Sequence, residues 1–213
     1  EKRNDVEILS PDPLKDLCSV PDYYDGKNKP IVCVFNSQVT IKNITVNGNY
    51  LGNTNDGISG ITLLNSSATI QNVEVEKTGN DLTKLDHDKY GVGILVYNDG
   101  TDKNKVTIET SYIHDYQKTG IIASGKGLNI LVGKNIIEGL SEQIHYQCHG
   151  ILYTNSATGG IISNTISGSR SYDHPNEGKY TKGICALKAG SNLVISDNEV
   201  EFGTDGIYVE KTG

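Results

Sequence analysis

The chain has 213 residues, of which 36% are apolar, and its formal net charge is −7 at pH 7. An acidic surface repels phosphate backbones, so this balance argues against a nucleic-acid partner. The length suits one domain with a sizeable core, and the lack of any apolar run of about 18 residues argues against membrane insertion.

Residues 1–30 form the first predicted element, an N-terminal cap, because the end of a solenoid exposes unpaired backbone and core. Asp12 suits the N-cap and Pro13 the first position of a short helix over residues 11–18. Of the four cysteines, Cys18 and Cys33 are closest in sequence. A disulfide is one interpretation; the other treats Cys33 and Cys185 as small buried hydrophobes.

Residues 31–213 carry two short signals that alternate strictly. The first is Gly-Ile, which recurs at intervals of 23 to 33 residues. Its copies are Gly60-Ile61, Gly93-Ile94, Gly120-Ile121, Gly150-Ile151, Gly183-Ile184 and Gly206-Ile207. The second reads approximately Ile-x-(x)-Asn-x-Val/Ile and occurs at 41–46, 70–75, 132–137, 162–166 and 195–200, with Ser111 replacing the Asn in a further unit. This alternation indicates a solenoid.

The apolar runs decide which solenoid is expected. They are short and have period two, which is typical of strands and not of helices. Units of 23 to 33 residues therefore predict an all-β, right-handed parallel β-helix of about six coils. The repeated Gly is predicted to form a corner with permissive φ, and the repeated Asn a left-handed corner whose amide bonds along an internal ladder. The residues predicted to point inward are Ile61/Leu63, Ile94/Val96, Ile121/Ala123, Ile151/Tyr153, Ile184/Ala186 and Ile207/Val209.

The residue after each repeated Ile is predicted to point outward, yet most of these positions are apolar. They are Thr62, Leu95, Ile122, Leu152, Cys185 and Tyr208. Either the long loops fold over this stripe or another chain meets it. If the register is off by one residue, the stripe belongs to the core instead.

The last predicted coil begins at Ile207, and no capping sequence follows it before Gly213. We therefore expect the chain to be a segment of a longer protein, or another subunit to cover this end. The second alternative makes self-association an expected interaction.

These repeats, with the stretches Asp115–Ile121 and Thr204–Val209, resemble the right-handed parallel β-helix proteins of pectate-lyase-like architecture over roughly residues 30–213. That group includes pectate lyases, polygalacturonases, mannuronan epimerases, phage tailspikes, adhesins and envelope surface proteins. The resemblance implies an extracellular or cell-surface location and a polysaccharide or surface glycan as partner. It identifies the fold and not the activity.

The segments between each Asn signal and the next Gly-Ile differ in length, from 5 to 17 residues. Equivalent corners of a solenoid stack, so the long loops are predicted to project from one edge. They hold all five histidines and half of the 12 tyrosines. Tyr stacks on sugar rings, while His and carboxylates bond hydroxyls or transfer protons. The candidate ligand-binding residues are His87, Asp88, Tyr90, His114, Asp115, Tyr116, His145, Tyr146, His149, Arg170, Tyr172, Asp173 and His174. The alternative is that polar residues gather in exposed loops without function.

Two places in the sequence suggest metal ligands, although no cofactor is firmly implied. Asp99 and Asp102 offer oxygen ligands for a hard cation such as Ca²⁺, or they form a solvated acidic turn. His87, between Asp86 and Asp88, suits a transition metal, but the spacing fixes no second ligand.

Two functions fit these features. The first is an extracellular module of a surface, adhesive or self-assembling protein that binds glycans along the loop edge. The second is a polysaccharide lyase, glycoside hydrolase or epimerase that uses the His, Asp and Tyr residues of the loops. Incomplete catalytic motifs favour the first: Thr204-Asp205-Gly206 resembles a polygalacturonase signature without its leading Asn. Convergence of His87, His114, His145 and His174 in one groove would favour the second.

Overall fold

The computed structural model describes residues 6–15, 18, 20, 28–52, 57–80, 91–100, 102–140, 142–143, 149–168, 170–171, 181–202 and 205–210. Within these ranges the chain forms strands and no helix. Accordingly, no described segment is a helix that could cross a membrane.

Most strands, numbered in chain order, belong to three parallel sheets. Sheet 1 contains β2 (Lys29–Phe35), β5 (Ile58–Leu64), β8 (Gly91–Tyr97), β11 (Thr119–Ser124), β15 (His149–Thr154), β19 (Lys182–Leu187) and β22 (Asp205–Glu210). Sheet 2 contains β3 (Gln38–Lys42), β6 (Ser67–Gln71), β9 (Asn104–Glu109), β12 (Leu128–Gly133), β16 (Thr158–Ile162) and β20 (Leu193–Ser196). Sheet 3 contains β1 (Glu7–Leu9), β4 (Thr45–Asn47), β7 (Glu74–Glu76), β10 (Tyr112–Tyr116), β13 (Ile136–Gly139), β17 (Thr165–Gly168) and β21 (Glu199–Phe202).

The chain passes through sheets 1, 2 and 3 in turn, and each strand pairs in parallel with its equivalent in the next coil. Parallel strands cannot be joined by tight hairpins, and here the two other sheets provide the crossover. The fold is therefore the predicted parallel β-helix of about six coils.

The side chains predicted to point inward from sheet 1 form the core in the first five units, where each is at most 1% exposed. Residues from sheets 2 and 3 complete the same apolar cluster. In the last unit Ile207 is 51% and Val209 65% exposed, because β22 is the edge strand of sheet 1.

The repeated glycines do not form corners, which corrects the prediction. They lie within the strands of sheet 1 and provide space rather than an unusual φ. A Cβ on Gly120 would lie 2.7 Å from Ile137 Cγ2 and 2.8 Å from the Gly150 carbonyl oxygen. A Cβ on Gly93 would lie 2.5 Å from Ile113 Cγ2. Gly60, Gly93, Gly120 and Gly150 thus leave room for a branched side chain of sheet 3 in the same coil.

The single Asn motif of the sequence occupies two structural positions at the corner between sheets 2 and 3. Asn43 and Asn72 adopt the left-handed conformation, with φ of 56° and 52°. The residue after that position points inward, and there the predicted amide ladder is formed. Its members are Asn135, Asn164 and Asn198. Ser111 continues the ladder, since its backbone N–H donates to Asn135 Oδ1 (3.0 Å).

The N-terminal region is attached along the solenoid. Strand β1 pairs with β4, so it begins sheet 3. The helix predicted over residues 11–18 is not formed in the described part, residues 11–15 and 18. The segment is too short for a stable isolated helix, and its prolines lack an N–H donor. A disulfide joins Cys18 to Cys33, and Asn28 Nδ2 donates to Cys18 O (3.2 Å) and Thr62 Oγ1 (2.9 Å).

The predicted apolar stripe does lie outside sheet 1 and is covered there. Leu95 and Ile122 are fully buried and pack with Val92 and with Val20 of the N-terminal region, in a cluster separate from the main core. The register was therefore right, and the N-terminal region supplies part of the cover. Cys185, on the same stripe, is a buried free thiol, as one interpretation expected.

In their described parts, the loops from sheet 3 to sheet 1 lie beside one another in successive coils. The predicted projection of the long loops from this edge concerns residues outside the described part of the chain. Gly48 N–H donates to Glu76 O (2.9 Å), and Gln117 N–H donates to Thr78 O (3.2 Å). Further along, β14 (Glu142–Gln143) pairs in parallel with β18 (Arg170–Ser171).

Candidate functional site

The outward face of sheet 3 carries a cluster of ionisable and aromatic side chains. Alternation within the strands buries Val75 and Ile113 and turns Glu74, Glu76 and Tyr112 outward. The register pairs Tyr112 with Glu74, which places His114 in line with Glu76. On the other side of β10, His114 pairs with Glu138. We call Glu74, Glu76, Tyr112, His114, Asp115 and Glu138 the sheet 3 cluster.

A β-bulge adds Asp115 to this face. The pairing of β10 with β13 shifts between His114 and Tyr116, and Asp115 has a φ of 52°. A bulge lets two successive residues lie on one side of a strand. Asp115 therefore stays beside His114, while Tyr116 turns inward and is fully buried.

Carboxylates contact both ring nitrogens of His114. Nδ1 lies 3.0 Å from Asp115 Oδ2, and Nε2 lies 3.2 Å from Glu74 Oε1 and 3.6 Å from Glu76 Oε2. Burial disfavours the charged ring, but the bonds and charges of the three carboxylates outweigh it and raise the pKa of His114 above its ordinary value. The hydrogen bond from His114 is the main reason that the pKa of Asp115 is lowered.

Tyr112 lies beside His114, with ring centroids 4.1 Å apart and an interplanar angle of 21°. Its hydroxyl donates a short hydrogen bond to Glu138 Oε2. Burial, that hydrogen bond and the negative charge of the carboxylates raise the pKa of Tyr112 well above its ordinary value. The ring therefore stays a neutral donor over the physiological range.

In Glu74 and Glu76, a neighbouring polar side chain bonds the carboxylate oxygen that does not contact His114. Thr45 Oγ1 donates to Glu74 Oε2 (3.3 Å), and Lys77 Nζ donates to Glu76 Oε1 (2.9 Å). The bond to Glu76 raises the pKa of Lys77 above its ordinary value, against the effect of burial. Both carboxylates are thus oriented before any ligand arrives.

The structure brings together only part of the residue set predicted from the sequence. His114 and Asp115 belong to the sheet 3 cluster. Tyr116 does not join any ligand-binding surface, because the bulge places its ring in the core. For Arg170 only the backbone is described, in β18. The remaining predicted residues that lie outside the described part are His87, Asp88, Tyr90, His145, Tyr146, Tyr172, Asp173 and His174.

His149 lies elsewhere, at the start of β15, and is 8% exposed. It pairs with Lys182 of β19, and its backbone N–H donates to Lys118 O (2.9 Å). Burial and the charges of Lys182 and Lys118 lower the pKa of His149 to about 4. Lys182 in turn forms an ion pair with Asp205.

Neither metal hypothesis from the sequence gains a ligand set in the described part of the chain. Asp99 Oδ2 accepts a hydrogen bond from Asn65 Nδ2 (2.8 Å), and Asp99 and Asp102 belong to no described group of three metal-ligating side chains. His87 and its two aspartates lie outside the described residues. One described group does meet that condition, namely Glu74, Glu76 and His114.

Sequence reasoning missed the glutamates and Tyr112, although a signal was present. Glu74 is two residues after Asn72, and Tyr112 is two residues after Thr110, which has the same left-handed conformation at the same corner. Stacking the coils on their corners would have aligned the outward residues of these two short strands.

The sheet 3 cluster can accept hydrogen bonds from hydroxyl groups, offer an aromatic ring to an apolar surface and attract a cation. Its members are carried by adjacent strands, which position side chains more rigidly than loops do. Searches of protein-family models, curated proteins and solved structures found no match to this chain. The case for a function therefore depends on the geometry of the cluster.

Proposed function

We propose that this protein is an extracellular β-helix module of a surface or self-assembling protein that binds a saccharide on the outward face of sheet 3. The observation that carries the proposal is Tyr112, an aromatic ring fixed on a strand among carboxylate side chains. Protein sites for sugars combine such a ring with hydrogen-bonding groups, because a sugar has both C–H surfaces and hydroxyls.

The apolar part of the surface is formed by neighbours in one row across the strands. Ile136 pairs directly with Tyr112 and is 37% exposed. Stacking on the His114 ring and the hydrogen bond to Glu138 hold the Tyr112 side chain in place. A ring that is already immobilised loses little conformational entropy when a ligand contacts it.

The polar part lies in the adjacent row, where Glu76, His114 and Glu138 are in line across the strands. Neighbouring strands are separated by about 4.8 Å, so the two rows form a strip that runs across several coils. An extended oligosaccharide lying along this strip would meet apolar contacts on one side and hydrogen-bond acceptors on the other.

The pKa shifts of Asp115 and Tyr112 suit hydrogen bonding to a ligand better than acid catalysis by these two groups. The lowered pKa of Asp115 keeps this group an acceptor, and the raised pKa of Tyr112 keeps it a donor. A general acid needs a pKa near the working pH, and Asp115 and Tyr112 are both shifted away from it. An enzyme that uses the loop histidines remains the alternative function, and the same experiment tests it.

The test is to screen the purified chain against a panel of neutral and acidic polysaccharides, for binding and for new reducing or unsaturated ends. We expect binding without products. Tyr112→Ala should weaken the affinity for the bound polysaccharide by at least about tenfold, as loss of an aromatic anchor commonly does. New chain ends would show that the protein is an enzyme and would contradict the proposed binding module.

The matched control is Glu109→Gln, because Glu109 is a carboxylate at the end of β9 in sheet 2 that accepts a hydrogen bond from Gln71 of the same sheet (3.2 Å). Glu138→Gln should weaken binding and Glu109→Gln should not. Equal affinities for Tyr112→Ala, Glu138→Gln and the unmodified chain would show that the saccharide binds elsewhere.

A further inference from the structure

Three atoms of the sheet 3 cluster converge on one point. Glu74 Oε1, Glu76 Oε2 and His114 Nε2 lie within 4.8 Å of one another. The side chains are 24%, 14% and 13% exposed, so the point is partly buried but open to solvent. When protonated, the His114 ring supplies a positive charge next to both carboxylates, and a metal ion bound at this point would take the place of the Nε2 proton.

The distances fit the coordination polyhedron of a small transition metal. Tetrahedral Zn²⁺ binds nitrogen and oxygen at about 2.0–2.2 Å, which separates its ligand atoms by about 3.4 Å. His114 Nε2 lies 3.2 Å from Glu74 Oε1 and 3.6 Å from Glu76 Oε2. The strands therefore already hold His114 Nε2 near the required separation from both carboxylate oxygens, and those two oxygens lie within 4.8 Å of each other.

A partner orients each of the three side chains through the atom that points away from the centre. Asp115 holds His114 Nδ1 (3.0 Å), Thr45 holds Glu74 Oε2 (3.3 Å), and Lys77 holds Glu76 Oε1 (2.9 Å). A carboxylate on Nδ1 fixes the tautomer that leaves Nε2 as a metal ligand, an arrangement that metal-binding histidines commonly share. This complete set of outer partners distinguishes the group from an ordinary patch of acidic residues.

We propose that Glu74, Glu76 and His114 form a binding site for a divalent transition-metal ion of the Zn²⁺ type. Imidazole and carboxylate ligands favour such ions over Ca²⁺, which prefers six to eight oxygens. Three protein ligands leave one position of the tetrahedron open to water or to a donor atom of a bound molecule. The site shares Glu76 and His114 with the proposed saccharide surface. The metal titration contains no saccharide and the polysaccharide screen does not use Zn²⁺, so either proposal can fail without the other.

The experiment titrates metal-free protein with ZnCl₂ at neutral pH by calorimetry and records the visible spectrum with CoCl₂. The expected result is one Zn²⁺ whose affinity falls at least about tenfold in Glu76→Gln and His114→Ala. Asp115 does not contact the metal, but Asp115→Asn should lower the affinity for Zn²⁺ by about tenfold to hundredfold. Co²⁺ should give the visible absorption of a four-coordinate ion in the unmodified chain and lose it in His114→Ala.

Glu201→Gln is the matched control, since Glu201 is an exposed carboxylate on the same face at the far end of sheet 3. It should bind Zn²⁺ like the unmodified chain. Glu76→Gln and Asp115→Asn keep side-chain size, so their unfolding midpoints without metal should change little and show that each variant is folded. Absence of Zn²⁺ binding by the unmodified chain, or unchanged affinity in Glu76→Gln and His114→Ala, would overturn the site.

Discussion

Single buried polar residues determine how each coil turns between sheets 2 and 3. Asn164 Oδ1 accepts from the backbone N–H and the side-chain amide of Asn135, both at 3.0 Å, and Asn164 Nδ2 donates to Val132 O (2.9 Å) and Asn198 Oδ1 (2.9 Å). Buried backbone groups that lose a partner cost about 1–3 kcal/mol each. The stacked side-chain amides therefore replace the backbone hydrogen bonds that the parallel strands cannot form at a corner.

His149 is the residue for which pH dependence is clearest. Its pKa falls from an ordinary value of 6.5 to about 4 in the folded chain, through burial and the charges of Lys182 and Lys118. Between these pH values the unfolded chain binds a proton that the folded chain does not. The contribution of His149 to the free energy of unfolding is therefore complete above pH 6.5 and is lost as the pH falls toward 4. The loss should be about 3 kcal/mol.

Urea unfolding at a series of pH values measures this effect. His149→Leu removes the titrating ring and should flatten the dependence between pH 6.5 and 4, while the ion pair of Lys182 with Asp205 is present in both proteins. The same pH dependence in His149→Leu and the unmodified chain would contradict the buried neutral imidazole.

At the scale of the strand, close contact between sheets 1 and 3 explains the repeated glycine. Gly120→Ala would place a Cβ 2.7 Å from Ile137 Cγ2 and 2.8 Å from the Gly150 carbonyl oxygen. Backbone and a packed core side chain cannot both move away, so the free energy of unfolding should fall by about 1–3 kcal/mol or more. Urea unfolding of the variant measures the loss.

Gly133→Ala is the control for that substitution. Its Cβ would lie 3.5 Å from the nearest atom, the Ile162 carbonyl oxygen, which is an ordinary contact. The change in stability should remain within about 0.5 kcal/mol. Equal losses for the two variants would show that helix-forming or entropic preferences of alanine, and not the contact with Ile137, cause the effect.

The strands were predictable because their repeat is periodic, whereas the reason for each repeated residue was not. Ile94 and Val96 alternate with Leu95, so period two alone separates the core from the outward stripe. The repeated Gly predicts an unusual φ from the sequence alone, because one sequence does not show which side chain faces it across the coil. Likewise, Glu74 and His114 are 40 positions apart, and only the register of β7 with β10 brings them together.

For the whole molecule, the solenoid turns short sequence repeats into rows of side chains that cross several coils. One row lies outside sheet 1, where Leu95 and Ile122 are covered with the help of Val20. Another lies outside sheet 3, where Glu76, His114 and Glu138 stay accessible to a ligand. The contrast between a covered apolar row and an open polar row is the reason for placing the binding face on sheet 3.

The most direct test of that placement is a chemical-shift map of the chain with a saturating polysaccharide ligand from the panel. The account predicts the largest changes in backbone resonances of β7, β10 and β13 and in the rings of Tyr112 and His114. Resonances of β6, β9 and β12 in sheet 2 should remain in place. Largest changes on sheet 2, or a bound ligand that leaves Tyr112 and His114 unshifted, would contradict it.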